Sequence, residues 1–272
     1  MIKIAIHSVP RSGSSFLGEI FNSSPYVNYK YQPLFSYAFK GYLTENSTRE
    51  DIEKFFSEIA KSNDPYLLRA DYVRKGLYPE FNKDPCKFTH IVYKEVRYHH
   101  ILENMLNVHP DVFLIALIRN PLSVINSFFK APKEFRQDLG WNRLNEWKYA
   151  PSKNQGKKEE FFGYVKWKEA AYIFHNLKAK YPERVFVITY EKFIKDPIEV
   201  TKKVFSFVKL DFTYHTELFI NSAINHHDDD PYSVYKVKTK DDDWKKELEP
   251  QIIQEIVKDL ENDQVLGKYL EL

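Results

Sequence analysis

The chain has 272 residues, of which 43% are hydrophobic and 16% aromatic, enough for one substantial α/β core. Its 40 basic and 38 acidic side chains leave a formal charge of +2, which favours neither nucleic acid nor a membrane surface as a partner. The single cysteine, Cys86, excludes an intrachain disulfide, and no apolar run approaches the ~20 residues of a membrane span. We expect one domain over residues 1–272, without a cleavable leader and located in the cytoplasm.

The first predicted elements are a strand, a short polar loop and a helix. Residues 1–6 are apolar and rich in β-branched side chains, typical of a buried strand, and apolar residues recur at helical spacing over 16–21. The loop between them reads His-Ser-Val-Pro-Arg-Ser-Gly-Ser-Ser over residues 7–15. Unpaired backbone N–H groups at the helix start, serine hydroxyls and the Arg11 cation predict an oxyanion site there, with Gly13 allowing close backbone approach.

This loop is close to a Walker A motif, G-x-x-x-x-G-K-[ST], but departs from it at two positions. Ser8 stands where the first glycine belongs, and Ser14 stands where the lysine belongs. A Walker lysine reaches the terminal phosphates of ATP, so its absence argues against ordinary ATP chemistry. The alternative interpretation is a serine-rich turn that binds nothing.

The rest of the chain alternates predicted strands with predicted helices. Strands are predicted at residues 27–31, 66–70, 89–94, 112–118 and 185–190. Helices are predicted after a capping box of Ser47 and Glu50, around 101–106, from Pro121, and over 162–180, 197–208 and 249–260. This alternation predicts a three-layer α/β fold with a central parallel sheet, which binds ligands at the carboxyl ends of its strands.

Two polar stretches interrupt this alternation. Residues 131–160 are long for a loop in a compact domain and predict an insertion on the substrate side. Residues 225–243 are charged and without periodicity, and they include His226 to Asp230. That cluster lacks the spacing of a rigid metal site, so a solvated acidic loop is the favoured interpretation over a divalent cation site.

A second anion site is predicted where the strand 112–118 ends. Arg119 follows that strand, Asn120 and Pro121 begin the next helix, and Ser127 lies two turns along it. An arginine and a hydroxyl can hold one phosphate if the helix folds back over the strand end. The alternative is an Arg119 salt bridge and an ordinary surface serine.

Together the two stretches resemble the sulfotransferases that use 3′-phosphoadenosine-5′-phosphosulfate (PAPS). The loop Pro10 to Leu17 looks like their 5′-phosphosulfate loop, and Arg119-Asn120-Pro121 with Ser127 looks like their 3′-phosphate site. Other segments match in order: Lys94 to Arg97, Tyr190 to Phe193 with Asp196-Pro197, and Tyr232 to Lys236 with Trp244. The resemblance is closest to the carbohydrate and bacterial branch, and it implies a P-loop NTPase-like sulfotransferase architecture.

The resemblance also implies roles for individual residues. The 5′-phosphosulfate would be held by Arg11, Ser12, Gly13, Ser14, Ser15 and Phe16. The 3′-phosphate would be held by Arg119 and Ser127, and Tyr190 would lie near the adenine. Lys236 or Lys238, within a cofactor-covering loop at 225–243, would close over the nucleotide, although either lysine could be solvated surface charge. The implied acceptor is a small molecule or saccharide hydroxyl, 3′-phosphoadenosine-5′-phosphate (PAP) is the product, and no metal is required.

For catalysis we expect Arg11, the loop amides and Lys94 to stabilise the charge that develops during in-line transfer. Many carbohydrate members carry Glu-Pro-Leu after the second strand, whereas this chain has Gln32-Pro33-Leu34, and an amide is not a base. Gln32 and Arg97 are then predicted to bind the acceptor. Glu95 is the first substitute for the base, unless it only pairs with a neighbouring cation, and the further substitutes are Asp71, His99 and His100. A P-loop kinase or NTPase and a non-catalytic nucleotide-binding module are the alternative functions.

Overall fold

A parallel sheet forms the centre of the molecule. The structure, a computed structural model, describes residues 1–237 and 240–270. Within these residues the sheet contains β1 (Ile2–Ser8), β2 (Val27–Tyr31), β3 (His90–Glu95), β4 (Val112–Ile118) and β5 (Val185–Thr189). The strand order is β2-β3-β1-β4-β5, and each neighbouring pair runs parallel. Strand β1 is therefore central, and the loop that follows it opens at the middle of the carboxyl edge.

Helices cover both faces of this sheet. In the described residues they are α1 (Ser14–Ser23), α2 (Arg49–Lys61), α3 (Ala70–Arg74), α4 (Leu102–Val108), α5 (Pro121–Phe129), α6 (Arg143–Glu146), α7 (Pro151–Asn154), α8 (Tyr164–Lys180), α9 (Tyr190–Lys195), α10 (Pro197–Phe207), α11 (Tyr214–Asn225), α12 (Trp244–Glu247) and α13 (Pro250–Leu260). None of them combines the length and apolarity needed to cross a membrane.

The strands are buried on both sides, which explains their continuous apolar sequences. Ala5 of β1 packs into a core cluster with α2, α4, α5, α8 and α13, while Ile4 and Ile6 pack into a second cluster with α1, α9, α10 and α11. Successive side chains of a strand point to opposite faces, so one strand supplies both clusters. The predicted three-layer α/β fold is confirmed.

Three local predictions were wrong. Residues 66–70 form a turn that leads into α3, because Arg69 has a positive φ of 59°. In this segment only the carbonyl oxygen of Leu67 accepts a backbone hydrogen bond from β2. The capping box of α2 lies one residue later than predicted, at Thr48 with Asp51. Tyr190, predicted as the end of a strand, begins α9.

Candidate active site at the carboxyl edge of the sheet

The loop between β1 and α1 has the geometry of an oxyanion site. Gly13 caps α1 with φ of 83°, and Arg11 has φ of 69°, so the backbone turns sharply between strand and helix. The first N–H groups of an α-helix have no intrahelical acceptor and point out of its N-terminus. The hydroxyl oxygens of Ser8 and Ser12 are buried without a hydrogen-bond partner in the described residues. These two hydroxyls lie beneath the loop, whereas Ser14 and Ser15 at the start of α1 face the cavity.

The aromatic ring of Tyr190 packs directly on this loop. A Cβ atom at Gly13 would lie 2.4 Å from Cε2 of Tyr190, and side chains rarely adopt the φ found there. The same ring lies 4.7 Å, centroid to Cζ, from the guanidinium of Arg119. Tyr190 therefore contacts both predicted phosphate stretches, and glycine is required beside it.

The two predicted phosphate stretches are in direct contact. Arg119 donates a hydrogen bond from Nη1 to the carbonyl oxygen of Arg11 (2.5 Å), and Arg11 donates from Nε to Oγ of Ser127 (3.2 Å). They meet because β1 and β4 are neighbouring parallel strands, so the segments that follow their carboxyl ends lie side by side. Arg119 and Ser127 also line a second cavity of about 70 Å³.

The guanidinium of Arg119 already binds a carboxylate. Its Nε and Nη2 donate to the two side-chain oxygens of Asp241, each at 2.6 Å, and Oγ of Ser123 donates to the main-chain oxygen of Asp241 (2.9 Å). This is the two-pronged geometry with which arginine binds carboxylate or phosphate. The Arg119 site is therefore formed and accepts an oxyanion in the free protein.

One cavity of about 490 Å³ joins these groups to the ends of β2 and β3. Its volume is typical of small-molecule sites. The predicted site residues that line it are Arg11, Gly13, Ser14, Ser15, Phe16, Gln32, Lys94, Arg97, Arg119, Ser127, Tyr190 and Lys236. Of the predicted set, Ser12 and Glu95 do not line the cavity, and both are fully buried.

Gln32, Lys94 and Arg97 lie together on the β2 side of the loop. Arg97 donates from Nη1 to Oε1 of Gln32 (3.2 Å) and from Nε to Glu160 (2.8 Å). The ammonium of Lys94 lies 4.3 Å from the ring centroid of Tyr31, and burial holds the pKa of Lys94 well below its usual value. The cavity thus has cations on both sides of the phosphate loop.

Glu95, predicted as the base, does not line the cavity. Its side chain is fully buried, and its Oε1 accepts a hydrogen bond from the N–H of Leu34 (2.8 Å). Burial raises the pKa of Glu95 to about 8, so the carboxyl is mostly protonated at neutral pH. A general base must reach the proton it removes, so Glu95 instead fixes the turn after β2.

The substitutes for Glu95 do not line the cavity either. Asp71 is exposed and hydrogen-bonded to Arg74, and His99 is fully buried with Nδ1 2.9 Å from Nδ1 of His7. His100 is half-buried outside the lining. None of the four residues predicted as candidate bases therefore lines the cavity.

Several lining residues carry no signal in the sequence. Lys133, Glu134 and Lys153 come from the polar segment 131–160, and Glu134 pairs with Lys153 (2.6 Å). Such a segment has no periodicity, so its inward-facing charges cannot be distinguished from its solvated ones. Arg69 also lines the cavity, and the strand predicted for 66–70 concealed it.

The C-terminal polar segment lies along the cavity. Lys236 donates to the main-chain oxygens of Asp230 (2.8 Å) and Asp228, while Arg11 donates from Nη2 to the oxygen of Pro231 (2.9 Å). Lys238 lies outside the described residues. Within residues 1–237 and 240–270 no three His, Cys, Asp or Glu side chains group as metal ligands, so the cluster at 226–230 forms no such site there.

Comparisons with known proteins identify the family of this chain. A family model described as "Sulfotransferase family" matches residues 3–214. Among curated protein sequences nothing matches the chain.

Similar solved structures share the fold over nearly the whole chain. Mouse sulfotransferase SULT7A1 complexed with PAP is 14% identical, with 99% of this chain and 87% of that chain covered at a TM-score of 0.55. A sulfotransferase from Alicyclobacillus acidocaldarius is 16% identical, with 99% and 96% covered at 0.55. The sulfotransferase domain from the Synechococcus PCC 7002 olefin synthase is 19% identical, with 93% and 92% covered at 0.53. At such identities the likeness shows the fold.

Proposed function

The chain belongs to the sulfotransferase family, whose model covers residues 3–214, and we propose that it moves a sulfuryl group from PAPS to an acceptor hydroxyl. One observation carries the choice of donor. The oxyanion loop and the guanidinium of Arg119 are in hydrogen-bond contact and line one cavity. A donor with phosphates at both its 5′ and 3′ positions requires two such sites close together. ATP lacks a 3′-phosphate, so it would have no group to bind to the guanidinium of Arg119.

The residues fit both ends of this donor. At the 5′ end, the N-terminus of α1 and the cavity-lining residues Ser14 and Ser15 lie beside the Arg11 cation. At the 3′ end, the carboxylate of Asp241 in the Arg119 fork stands in for a phosphate. The similar mouse sulfotransferase is a complex with PAP, which supports the same donor for this chain.

When PAPS is bound it supplies an activated sulfuryl group. The acceptor oxygen forms a bond to sulfur, the bond from sulfur to the 5′-phosphate oxygen breaks in line and keeps its electron pair on that oxygen, and the hydroxyl proton passes to a base. Arg11 and the loop amides stabilise the charge on the transferring group and the leaving phosphate. Lys94 faces the same cavity from β3 and donates a hydrogen bond to the transferring group.

We assign the base to Glu134. It is the one carboxylate among the described residues that line the cavity, and its neighbours Lys133 and Lys153 line it too. Glu134 forms an ion pair with Lys153 (2.6 Å). The side chains are 22% (Glu134) and 18% (Lys153) exposed, so the carboxylate is oriented yet reachable. Gln32 and Arg97 then position the acceptor, which family resemblance suggests is a saccharide or glycan precursor.

The donor assignment is tested by calorimetric titration of the purified protein. PAP should bind without Mg²⁺, and Arg119→Ala should weaken binding at least tenfold, while Arg49→Ala on the exposed surface of α2 should leave it unchanged. A strict requirement for Mg·ATP would support the kinase alternative instead.

Transfer is tested by release or transfer of sulfate from labelled PAPS. Tight PAP binding with no sulfate release and no labelled product, across sugar and phenol acceptors, would support the non-catalytic binding module.

A further inference from the structure

Arg69 lies in an unusual environment on the β2 side of the cavity. Its guanidinium carbon lies 3.6, 3.9 and 4.1 Å from the ring centroids of Tyr31, Tyr72 and Tyr78. The residue is 7% exposed, lines the cavity, and its Nε is buried without a hydrogen-bond partner in the described residues. A guanidinium has five N–H donors, and aromatic faces satisfy its charge but not its directional hydrogen bonds.

The charge around Arg69 is not balanced by carboxylates. Burial holds the pKa of Lys94, 4.3 Å from the centroid of the same Tyr31 ring, well below its usual value, so that lysine adds little charge; Lys133 donates to the hydroxyl of Tyr72 (3.2 Å). The acid that lines this part of the cavity, Glu134, pairs with Lys153 instead. Buried charges in proteins are normally paired, so this group is short of an anion.

A nearby buried acid does not remove the imbalance. Glu19 on α1 is fully buried and accepts a hydrogen bond from Asn22 (2.8 Å). Burial raises the pKa of Glu19 to about 7, so it carries only part of a negative charge at neutral pH. The excess of positive charge therefore remains at the cavity wall.

The backbone holds Arg69 in this position at a cost. Its φ is 59°, a backbone conformation that residues other than glycine rarely adopt. The turn is fixed by the N–H of Arg69 to the oxygen of Tyr66 (3.1 Å) and by the N–H of Tyr31 to the oxygen of Leu67 (2.9 Å). Such conformations are concentrated at ligand sites, and Gln32, beside the same cavity, also has positive φ (41°).

Strand order separates this group from the 3′-phosphate fork. Arg119 follows β4, whereas the rings around Arg69 include Tyr31 at the end of β2. In the order β2-β3-β1-β4 the two ends are three strand spacings apart, about 14 Å. Arg69 and Arg119 therefore cannot hold one phosphate, and the loop after β1 lies between them.

We propose that Arg69 binds an anionic group of the acceptor, a carboxylate or a phosphate, while a hydroxyl of the same molecule faces the phosphate loop. This inference rests on the proposed function, because it takes the β2 side of the cavity as the acceptor side. It narrows the acceptor from any hydroxyl compound to a hydroxylated anion. The three tyrosine rings hold the guanidinium at the cavity wall, and its fork of N–H donors matches a carboxylate or a phosphate.

The test uses the protein saturated with PAP, so that no turnover is required. Calorimetric titrations compare 4-hydroxybenzoate with 4-hydroxybenzamide, methyl glucuronoside with its amide, and glucose 6-phosphate with glucose. Each anionic member should bind about 10- to 100-fold more tightly than its neutral partner. The aryl, sugar and phosphate arms show which anion and scaffold the site prefers.

Variants assign the preference to Arg69. Arg69→Met should reduce the preference for anions to less than threefold while PAP affinity stays within twofold of the wild type. Arg74→Met, an exposed arginine on the same helix, is the matched control and should keep the preference. Arg69→Gln removes the charge but keeps a polar side chain, and it replaces the Met variant if thermal unfolding shows that variant to be unfolded. It should lose the preference to the same extent.

Two results would overturn the inference with the proposed function intact. One is equal binding of neutral and anionic probes by the PAP complex. The other is an anion preference that survives in both Arg69 variants, or PAP affinity that falls with them, which would assign Arg69 to the donor. Failure of PAP to bind the wild-type protein would instead contradict the proposed function itself.

Discussion

Asp241→Asn should tighten PAP binding while it destabilises the free protein. In the structure the Asp241 carboxylate occupies both prongs of the Arg119 guanidinium at 2.6 Å, with side chains that are 8% (Arg119) and 2% (Asp241) exposed. A 3′-phosphate bound by that guanidinium must displace the carboxylate and would be repelled by it. Asparagine keeps the shape and the main-chain bond from Ser123, but it removes the charge and one of the two acceptors.

The size of the effect follows from the geometry of the pair. Removing one partner of a buried ion pair costs about 3–5 kcal/mol, and a hydrogen bond to a charged group contributes about 1.5–3 kcal/mol. Because asparagine retains one acceptor, we expect a loss of about 2 kcal/mol in the unfolding free energy of the free protein. In the variant the carboxylate no longer competes with the phosphate for Arg119, so the binding free energy of PAP improves by the same amount, about 2 kcal/mol. The PAP dissociation constant should therefore fall roughly 30-fold.

The assay pairs chemical denaturation of the free protein with calorimetric titration of PAP. Asp242→Asn is the matched control, because it makes the same charge change at the exposed neighbouring position. That variant should leave both quantities within the error of the wild type. The opposite signs of the two effects distinguish competition from simple damage, since a damaged site would lose stability and affinity together.

The reasoning would be refuted if Asp241→Asn bound PAP more weakly than the wild type. Asp241 would then hold Arg119 in position for the nucleotide instead of competing with it. Unchanged PAP affinity with lower stability would equally contradict the idea, because it would mean that the phosphate and the carboxylate do not share the guanidinium.

Three further predictions concern the loop, the base and pH. Gly13→Ala should abolish measurable PAP binding in the same titration, because its Cβ would lie 2.4 Å from the ring of Tyr190. Gly76 also has a positive φ (71°) but has open space around it, so Gly76→Ala controls for the effect of backbone strain alone. Glu134→Gln should lower kcat about 100-fold or more with an alkyl alcohol but far less with 4-nitrophenol, which is largely ionised near neutral pH; equal losses would exclude a base. Burial raises the pKa of Glu95 to about 8 from 4.5, so the folded protein binds more protons than the unfolded chain between those values, and stability should fall as pH rises through that window, by up to about 1.4 kcal/mol per pH unit. Denaturation of Glu95→Gln should show a flatter pH dependence, and an identical slope would contradict the shifted pKa.

Local signals in the sequence carried most of the fold. The strand 112–118 and the helix from Pro121 were predicted where they occur, because a continuous apolar run and a proline at a helix start act over a few residues. The loop at 7–15 was predicted as an oxyanion site for the same reason. Its small residues and its place between strand and helix are consecutive in the chain.

The sequence could not determine which charged groups face the cavity. Glu95 follows Lys94 directly, yet one lines the cavity and the other is buried against Leu34, 61 residues away. Tyr66 to Ala70 has apolar character suited to a strand, but a left-handed Arg69 turns it into α3. Neither outcome is local, because each depends on what β2 and β3 present to it.

By itself, then, the sequence determined a parallel α/β sheet, an oxyanion loop after its first strand and a second arginine after its fourth, because periodicity and loop composition report on neighbours in the chain. Only the tertiary structure decided that Arg119 holds Asp241, 122 residues away, that Arg69 lies within a ring of tyrosines, and that Glu134 enters the cavity. The free energy of a charged side chain depends on its burial and its partners, and both are set by segments that meet only when the chain has folded.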